Sequence, residues 1–171
     1  MNIPVLETER LIMREWRESD LENYAAFRAD SVACKYVGVL NRGEAWRAMA
    51  YWAGHWNLLG FGLWSVTLKS GEPIGYCGCY YPKEWPEAEI GWGIYAAHQR
   101  KGYATEAARA SLNYAYKTLG WKTAISLIAN DNAPSTALAT KLGAKRDGSF
   151  VIRDMPCNIY RHLSPSKFLT H

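Results

Sequence analysis

The sequence predicts a single α+β domain: a central, mostly antiparallel mixed sheet of about seven strands, with four helices and one parallel βαβ crossover. Three observations predict it. Strand-like runs at 61–68, 74–81 and 88–95 follow one another through short, turn-rich connections, as antiparallel neighbours do. Beyond them the hydrophobic period changes from 2 to 3.6, and a helical stretch leads into the apolar run "WKTAISLIA" at 121–129. A strand, a helix and a second strand in that order need a crossover, and so a parallel pair inside the sheet. No repeat, low-complexity tract or linker interrupts the 171 residues, which read as one domain, 1–171.

Each element has its own signal. "ERLIMREW" (9–16) alternates as a first strand. "SDLE" (19–22) has capping-box spacing, with Ser19 as N-cap and Glu22 at N3, and opens a helix to about Arg28. "GEAWRAMAYWAGHWNL" (43–58) is a second helix, which Gly60 stops. "KSGEP" (69–73) turns the 61–68 strand back into "IGYCGCYY" (74–81), making a hairpin. "AEIGWGIY" (88–95) is the fourth strand, and its glycines at 91 and 93 point to a bulge or a close backbone approach. From Gly102, small and apolar residues at Ala104, Ala107, Ala108, Ser111, Leu112, Ala115 and Leu119 share one helical face, ended by Gly120. "NAPSTALATKLG" (132–143) is a short helix with Pro134 near its start and Gly143 just past its end. The tail from Ala144 to Leu163 reads as a final hairpin.

Composition excludes several function classes. A net charge of +4 is mild and lacks the basic stripe that nucleic acid requires. The stretch from Ala48 to Leu68 has no Asp, Glu, Lys or Arg, but His55, Asn57 and glycines 54, 60 and 62 break it, so no membrane span is expected. The N-terminus has no apolar signal region, and the four cysteines at 34, 77, 79 and 157 lack zinc-site spacing. The expectation is a cytoplasmic protein with reduced, buried thiols and no metal; a monomer and a homodimer are both compatible. Eight Trp and eleven Tyr exceed the needs of such a core, so some are expected to line a cavity or interface.

The stretch "HQRKGYATEA" (98–107) carries the chemistry. It follows a parallel strand and starts a helix, where unpaired N–H groups and the positive end of the helix dipole meet. Gly102 lets the backbone turn, Ala104 keeps the surface low, and Arg100 and Lys101 add charge. Such a loop suits a phosphate or pyrophosphate, although it matches neither a Walker loop nor a dinucleotide fingerprint.

The run Gln99-Arg100-Lys101-Gly102-Tyr103-Ala104 resembles the acetyl-CoA loop of the GNAT superfamily of N-acetyltransferases, whose pattern is Gln/Arg-x-x-Gly-x-Gly/Ala. "TERLIMR" (8–14), "GYATEA" (102–107) and "NAPSTALATKLGA" (132–144) resemble its ribosomal-protein-alanine acetyltransferase branch, so the resemblance covers nearly the whole chain. It implies a GNAT-like fold with acetyl-CoA as co-substrate. The amides of Arg100, Lys101, Gly102, Tyr103, Ala104 and Thr105 would hold the pyrophosphate. The backbone of Trp92, Gly93, Ile94 and Tyr95 would pair with the pantetheine arm. Asn132 would contact a pantetheine amide while also serving as a helix N-cap.

Direct acetyl transfer to an amine needs a base, an oxyanion donor and an acid for the departing thiolate. A strand amide near Gly93 or Ile94 is the expected oxyanion donor. Glu89 is the expected base, since burial beside Ile90 and Trp92 raises a carboxyl pKa; the bland reading is a salt-bridged carboxylate at a strand start. His98 and Tyr81 are alternatives, as is ordered water. Ser135 is the expected acid, against a plain role in a helix's first turn. Glu106 is expected to support the helix start and pair with Arg109. For the acceptor, Trp52, Trp56, Tyr81 and Trp85 are the expected wall of an aromatic cleft, although core packing competes for the helical tryptophans. The resulting expectation is an N-acetyltransferase acting on a small-molecule amine or a peptide N-terminus; the rival is an inactive acyl-CoA-binding sensor.

Overall fold

The computed structural model describes residues 2–170. In chain order the elements are β1 (Leu6–Glu7), β2 (Leu11–Arg14), α1 (Leu21–Ala29), α2 (Arg42–Leu59), β3 (Leu63–Leu68), β4 (Pro73–Tyr80), β5 (Glu89–Ile94), α3 (Tyr103–Lys117), β6 (Ile125–Ala129), α4 (Ala133–Lys141), β7 (Lys145–Ile152), β8 (Met155–Arg161) and α5 (Pro165–Phe168). Single 3₁₀ turns at Glu18–Asp20 and Ala96–His98 precede α1 and the phosphate-type loop.

One eight-stranded sheet runs β1-β2-β3-β4-β5-β6-β8-β7. Every neighbouring pair is antiparallel except β5 and β6, which α3 joins as the crossover. The α3 face of the sheet buries Leu11, Met13, Trp64, Val66, Cys77, Cys79 and Ile90 under Ala107, Ala108 and Leu112. The α1–α2 face is aromatic: Tyr24, Phe27, Trp52, Tyr76 and Tyr95 pack together with Trp16 at its edge. A third, smaller cluster of Ile128, Ala139 and Ala144 seats α4 on β6.

Several expected details differ. The sheet gains an eighth strand, the two-residue β1 that pairs with β2 through Leu6↔Met13 and Glu7↔Ile12. The chain starts α1 without using Ser19 as a cap. Ser19 lies inside the 3₁₀ turn, and Asp20, just before α1, accepts from the Arg17 N–H at 3.0 Å and from Arg14 Nη1 and Nη2 at 2.8 Å. Burial raises the Asp20 carboxyl, but Arg14 outweighs that and holds it below its ordinary value. The capping box belongs instead to α2, where Asn41 accepts from the Glu44 N–H at 2.9 Å and Glu44 accepts from the Asn41 N–H at 2.8 Å. Gly60 ends α2 in the left-handed region, φ 76°, as expected.

The expected bulge at Gly91 and Gly93 is absent from the β4–β5 ladder, which stays in register from Gly75↔Ile94 to Tyr80↔Glu89. The irregularity lies one strand over, between Val66 and Thr67 where β3 pairs with β4. Gly93 is needed for another reason. The Tyr76 side chain crosses directly over it, and a Cβ there would sit 2.6 Å from the Tyr76 hydroxyl.

Candidate active site

The site begins with a missing rung. β5 and β6 pair at Glu89↔Ile125, with the Ile125 N–H donating to the Ala88 carbonyl at 3.3 Å. In a regular parallel ladder the next bond would join the Leu127 N–H to the Ile90 carbonyl. Here the Leu127 N–H donates to Glu89 Oε2 at 2.9 Å, and the Ile90 carbonyl accepts from Ser126 Oγ at 2.7 Å. From that point the two strands part.

The antiparallel ladder decides which backbone groups face the gap. The Tyr95 N–H donates to the Ile74 carbonyl at 2.8 Å, so Tyr95 and its alternate partner Gly93 bond to β4. Trp92 and Ile94 therefore turn their N–H and C=O groups away from β4, toward the gap. Gln99 Nε2 donates to the Ile94 carbonyl at 2.8 Å. Of the two amides weighed as oxyanion donor, Ile94 faces the gap and Gly93 does not.

The gap opens into a cleft of about 690 Å³. Trp92, Gly93, Ile94, Gln99, Arg100, Gly102, Tyr103, Ala104, Thr105, Asn132 and Ser135 line it. Two residues expected there do not: Lys101 turns its ammonium to the Ala97 carbonyl, at 3.1 Å, and the Tyr95 ring packs on Phe27. Arg100 and Gly102 both take left-handed backbone, φ 61° and 83°. This places Gly102 as the N-cap of α3 and leaves the first-turn N–H groups of the helix facing the cleft.

The loop has a brace that the sequence reading missed. Glu106 Oε1 accepts from the Thr8 hydroxyl at 2.6 Å and the Arg10 N–H at 2.8 Å, and Oε2 accepts from Arg10 Nε at 2.7 Å. Arg10 Nη1 then donates to the Lys101 carbonyl at 2.9 Å, and the guanidinium lies 4.7 Å from the Tyr103 ring centre. Burial pushes the Glu106 carboxyl up, but its bonds to Thr8 and Arg10 outweigh this and keep it below the usual value. The expected partner, Arg109, instead sits over Phe168.

Glu89 is buried and lies at the inner end of the gap, outside the cleft lining. Its Oε1 accepts from the Trp85 indole N–H at 2.8 Å. Burial pushes its pKa up to about 7, against the Leu127 and Trp85 bonds that favour the ionised form. A Cβ on Gly91 would lie 3.7 Å from both Glu89 Oε1 and Leu63 Cδ2. Ser135 stands across the cleft mouth, where its Oγ accepts from the Trp92 indole N–H at 3.2 Å. Its backbone N–H donates to Asn132 Oδ1 at 3.3 Å, so Asn132 is the N-cap of α4.

The four aromatic residues expected at the acceptor separate. Trp56 is 1% exposed, packs 4.9 Å from Trp64 and donates to the Leu63 carbonyl, as a core residue. Trp52 is buried 4.7 Å from the Tyr76 ring. Tyr81 is exposed and lies away from the cleft, and Trp85 covers Glu89. His98 lines the cleft mouth, 3.1 Å from Glu72. The rest of the cleft wall is formed by residues no motif marked: Phe27, Tyr76 and the segment 30–37. That segment is strapped to the loop before α4 by Lys35–Asp131 at 2.7 Å and by the Tyr36 hydroxyl on the Asp131 carbonyl at 3.1 Å.

A strand pair that splits at its end and opens on the N-terminus of α3 is an arrangement suited to an acyltransferase whose donor carries an anionic group. The comparisons agree. The family model described as acetyltransferase (GNAT) domain matches residues 10–145. The chain is 30% identical over 152 residues to the uncharacterized N-acetyltransferase YoaA of Bacillus subtilis (strain 168), covering 85% of each chain. It is 31% identical over 148 residues to the uncharacterized N-acetyltransferase YnaD of the same organism, again covering 85% of each. Among solved structures, an acetyltransferase from Agrobacterium tumefaciens str. C58 superposes with a TM-score of 0.85 at 31% identity, covering 95% of this chain and 96% of that one. The chain belongs to the GNAT acetyltransferase family.

Among the described residues, no helix is long and apolar enough to cross a membrane, and no group of His, Cys, Asp and Glu side chains is placed to hold a metal ion.

Proposed function

We propose that this protein is an acetyl-CoA-dependent N-acetyltransferase that moves an acetyl group directly to a primary amine, on a small molecule or a peptide N-terminus. The split between β5 and β6, opening on the α3 N-terminus, carries this reading. The free N–H groups at Arg100 to Thr105 bind the pyrophosphate of the donor. Trp92 pairs its outward backbone groups with the pantetheine arm, and Asn132 meets an arm amide. The Ile94 N–H donates to the thioester oxygen as that oxygen gains charge, an effect worth roughly 3 kcal/mol for donors of this kind.

Glu89 takes the proton of the attacking amine, directly or through one water. A carboxyl with a pKa of about 7 is half ionised near neutrality, where a general base serves best. As the carbon–sulfur bond breaks, Ser135 gives its proton to the departing sulfur and regains one from solvent. Its Oγ accepts from Trp92, which leaves its own O–H free to donate.

The acceptor enters past Phe27, Tyr76 and the 30–37 strap. Ala33 and Val37 add to that wall, and its one acidic residue, Asp30, already accepts from the Val32 and Ala33 N–H groups. A small amine with an apolar substituent, or a peptide N-terminus with an apolar first side chain, fits this wall better than a polyamine. Thiol release from acetyl-CoA against a panel of such amines, N-terminal peptides and polyamines tests the reading. Turnover on the apolar class supports it; turnover confined to polyamines contradicts the acceptor assignment.

A further inference from the structure

The gap at the centre of the site is held by residues that no part of the proposed chemistry uses. Ser126 Oγ lies 2.7 Å from the Ile90 carbonyl and 2.8 Å from His162 Nε2. A serine hydroxyl has one proton, and here it goes to the Ile90 carbonyl. The contact with His162 is then a bond in which the imidazole Nε2–H donates. His162 is 4% exposed, and burial pushes its pKa down to about 4, so the ring is neutral with its other nitrogen bare. That Nδ1 is buried with no hydrogen-bond partner among the described residues. Leaving a buried acceptor unpaired costs free energy, so the arrangement needs a compensating reason.

The geometry of the missing rung supplies one. The Ile90 carbonyl would close the ladder by accepting from the Leu127 N–H, and the next bond would then draw the Trp92 N–H to the Leu127 carbonyl. Closing both rungs would shut the gap. Ser126 occupies the Ile90 carbonyl, His162 fixes the direction of the Ser126 hydroxyl, and Glu89 keeps the Leu127 N–H. We propose that Ser126 and His162 are positioning residues that hold β5 and β6 apart, keeping the Trp92 and Ile94 backbone available to the ligand arm. The proposal rests on the reading of this gap as the coenzyme A site.

Calorimetric titration with coenzyme A tests it, alongside melting curves and amide exchange at Leu127 and Trp92. Ser126→Ala and His162→Leu are expected to weaken coenzyme A binding about five- to tenfold, the effect of one lost buried hydrogen bond. Ser126→Thr, which keeps the hydroxyl, and His162→Gln, which keeps an N–H donor, are expected to restore most of the affinity. In Ser126→Ala the Trp92 amide is expected to exchange more slowly, as the ladder closes. If Ser126→Ala does not fold, His162→Leu against His162→Gln carries the same comparison. Unchanged affinity in both Ser126→Ala and His162→Leu, or melting temperatures that fall while affinity holds, would overturn the proposal. A wild type that binds no coenzyme A overturns the functional reading itself; a wild type that binds beside equally tight variants overturns this proposal alone.

Discussion

Glu89 joins two jobs at one carboxylate. It occupies the Leu127 N–H at the split, and in the proposed reaction it also takes the proton of the amine. Its raised pKa has two consequences. The rate is expected to rise with pH along an acid limb near 7, and Glu89→Gln is expected to lose that limb together with about 10²-fold or more in rate. Stability carries the opposite sign. Between about 4.5 and 7 the folded state holds this proton and the unfolded state has released it, so ionisation costs stability as pH rises through that window. Glu89→Gln removes the penalty. Relative to wild type, its unfolding free energy is therefore expected to improve from pH 5 to pH 8, by up to roughly 3 kcal/mol, in denaturant melts at the two pH values. Trp85→Phe deletes one bond to the carboxylate and is expected to move the acid limb upward, read from the same pH–rate profile. The bulk of this residue's setting was legible: an apolar stretch around an acidic residue foretells burial. The Trp85 and Leu127 partners were not, because a loop and a broken rung leave no periodic trace.

At the scale of elements, the phosphate-type loop depends on the first strands as much as on its own glycine. Arg10→Ala is expected to raise the KM for acetyl-CoA several-fold with a smaller change in kcat, since Arg10 braces the Lys101 carbonyl without lining the cleft. Gly102→Ala is expected to do the same more strongly. Its φ of 83° costs an alanine about 1 kcal/mol, and the new Cβ would press on Arg10 Nη2 at 3.2 Å. Steady-state kinetics with acetyl-CoA varied at saturating amine checks both. The loop, the crossover and the terminal hairpin were readable because each has a local signature: a glycine at a helix start, a change of period, a turn between alternating runs. The Arg10–Glu106 pair was not, because 96 residues of chain separate its partners. Local spacing offered Arg109 instead, which the helix turns toward Phe168. Likewise β1 is too short to show a period, and Ser19 has cap spacing but falls inside a 3₁₀ turn.

Across the whole molecule, one sheet carries different helices on its two faces. α3 and α4 bring the loop and Ser135 to the gap, while Phe27 of α1, Tyr76 of β4 and the 30–37 strap line the side proposed for the acceptor. The aromatic surplus in the sequence turns out to be mostly a packed face, with Trp16, Tyr24, Trp52 and Tyr76 in mutual contact. α1 is anchored to that sheet by the buried Arg14–Asp20 pair. Asp20→Asn would leave Arg14 uncompensated, and a loss of about 3–5 kcal/mol is expected in denaturant unfolding. That loss is expected to reach activity through the strap, which α1 leads into.

In the proposed reaction this gap carries acetyl from coenzyme A to an amine, with Glu89 as the base. The most direct measurement is thiol release from acetyl-CoA with wild type and Glu89→Gln side by side, from pH 5.5 to 9, using the best amine of the panel. The account expects turnover by the wild type with an acid limb near pH 7, and a slow, limbless Glu89→Gln that still binds coenzyme A. Equal rates and equal pH profiles for the two proteins would contradict it.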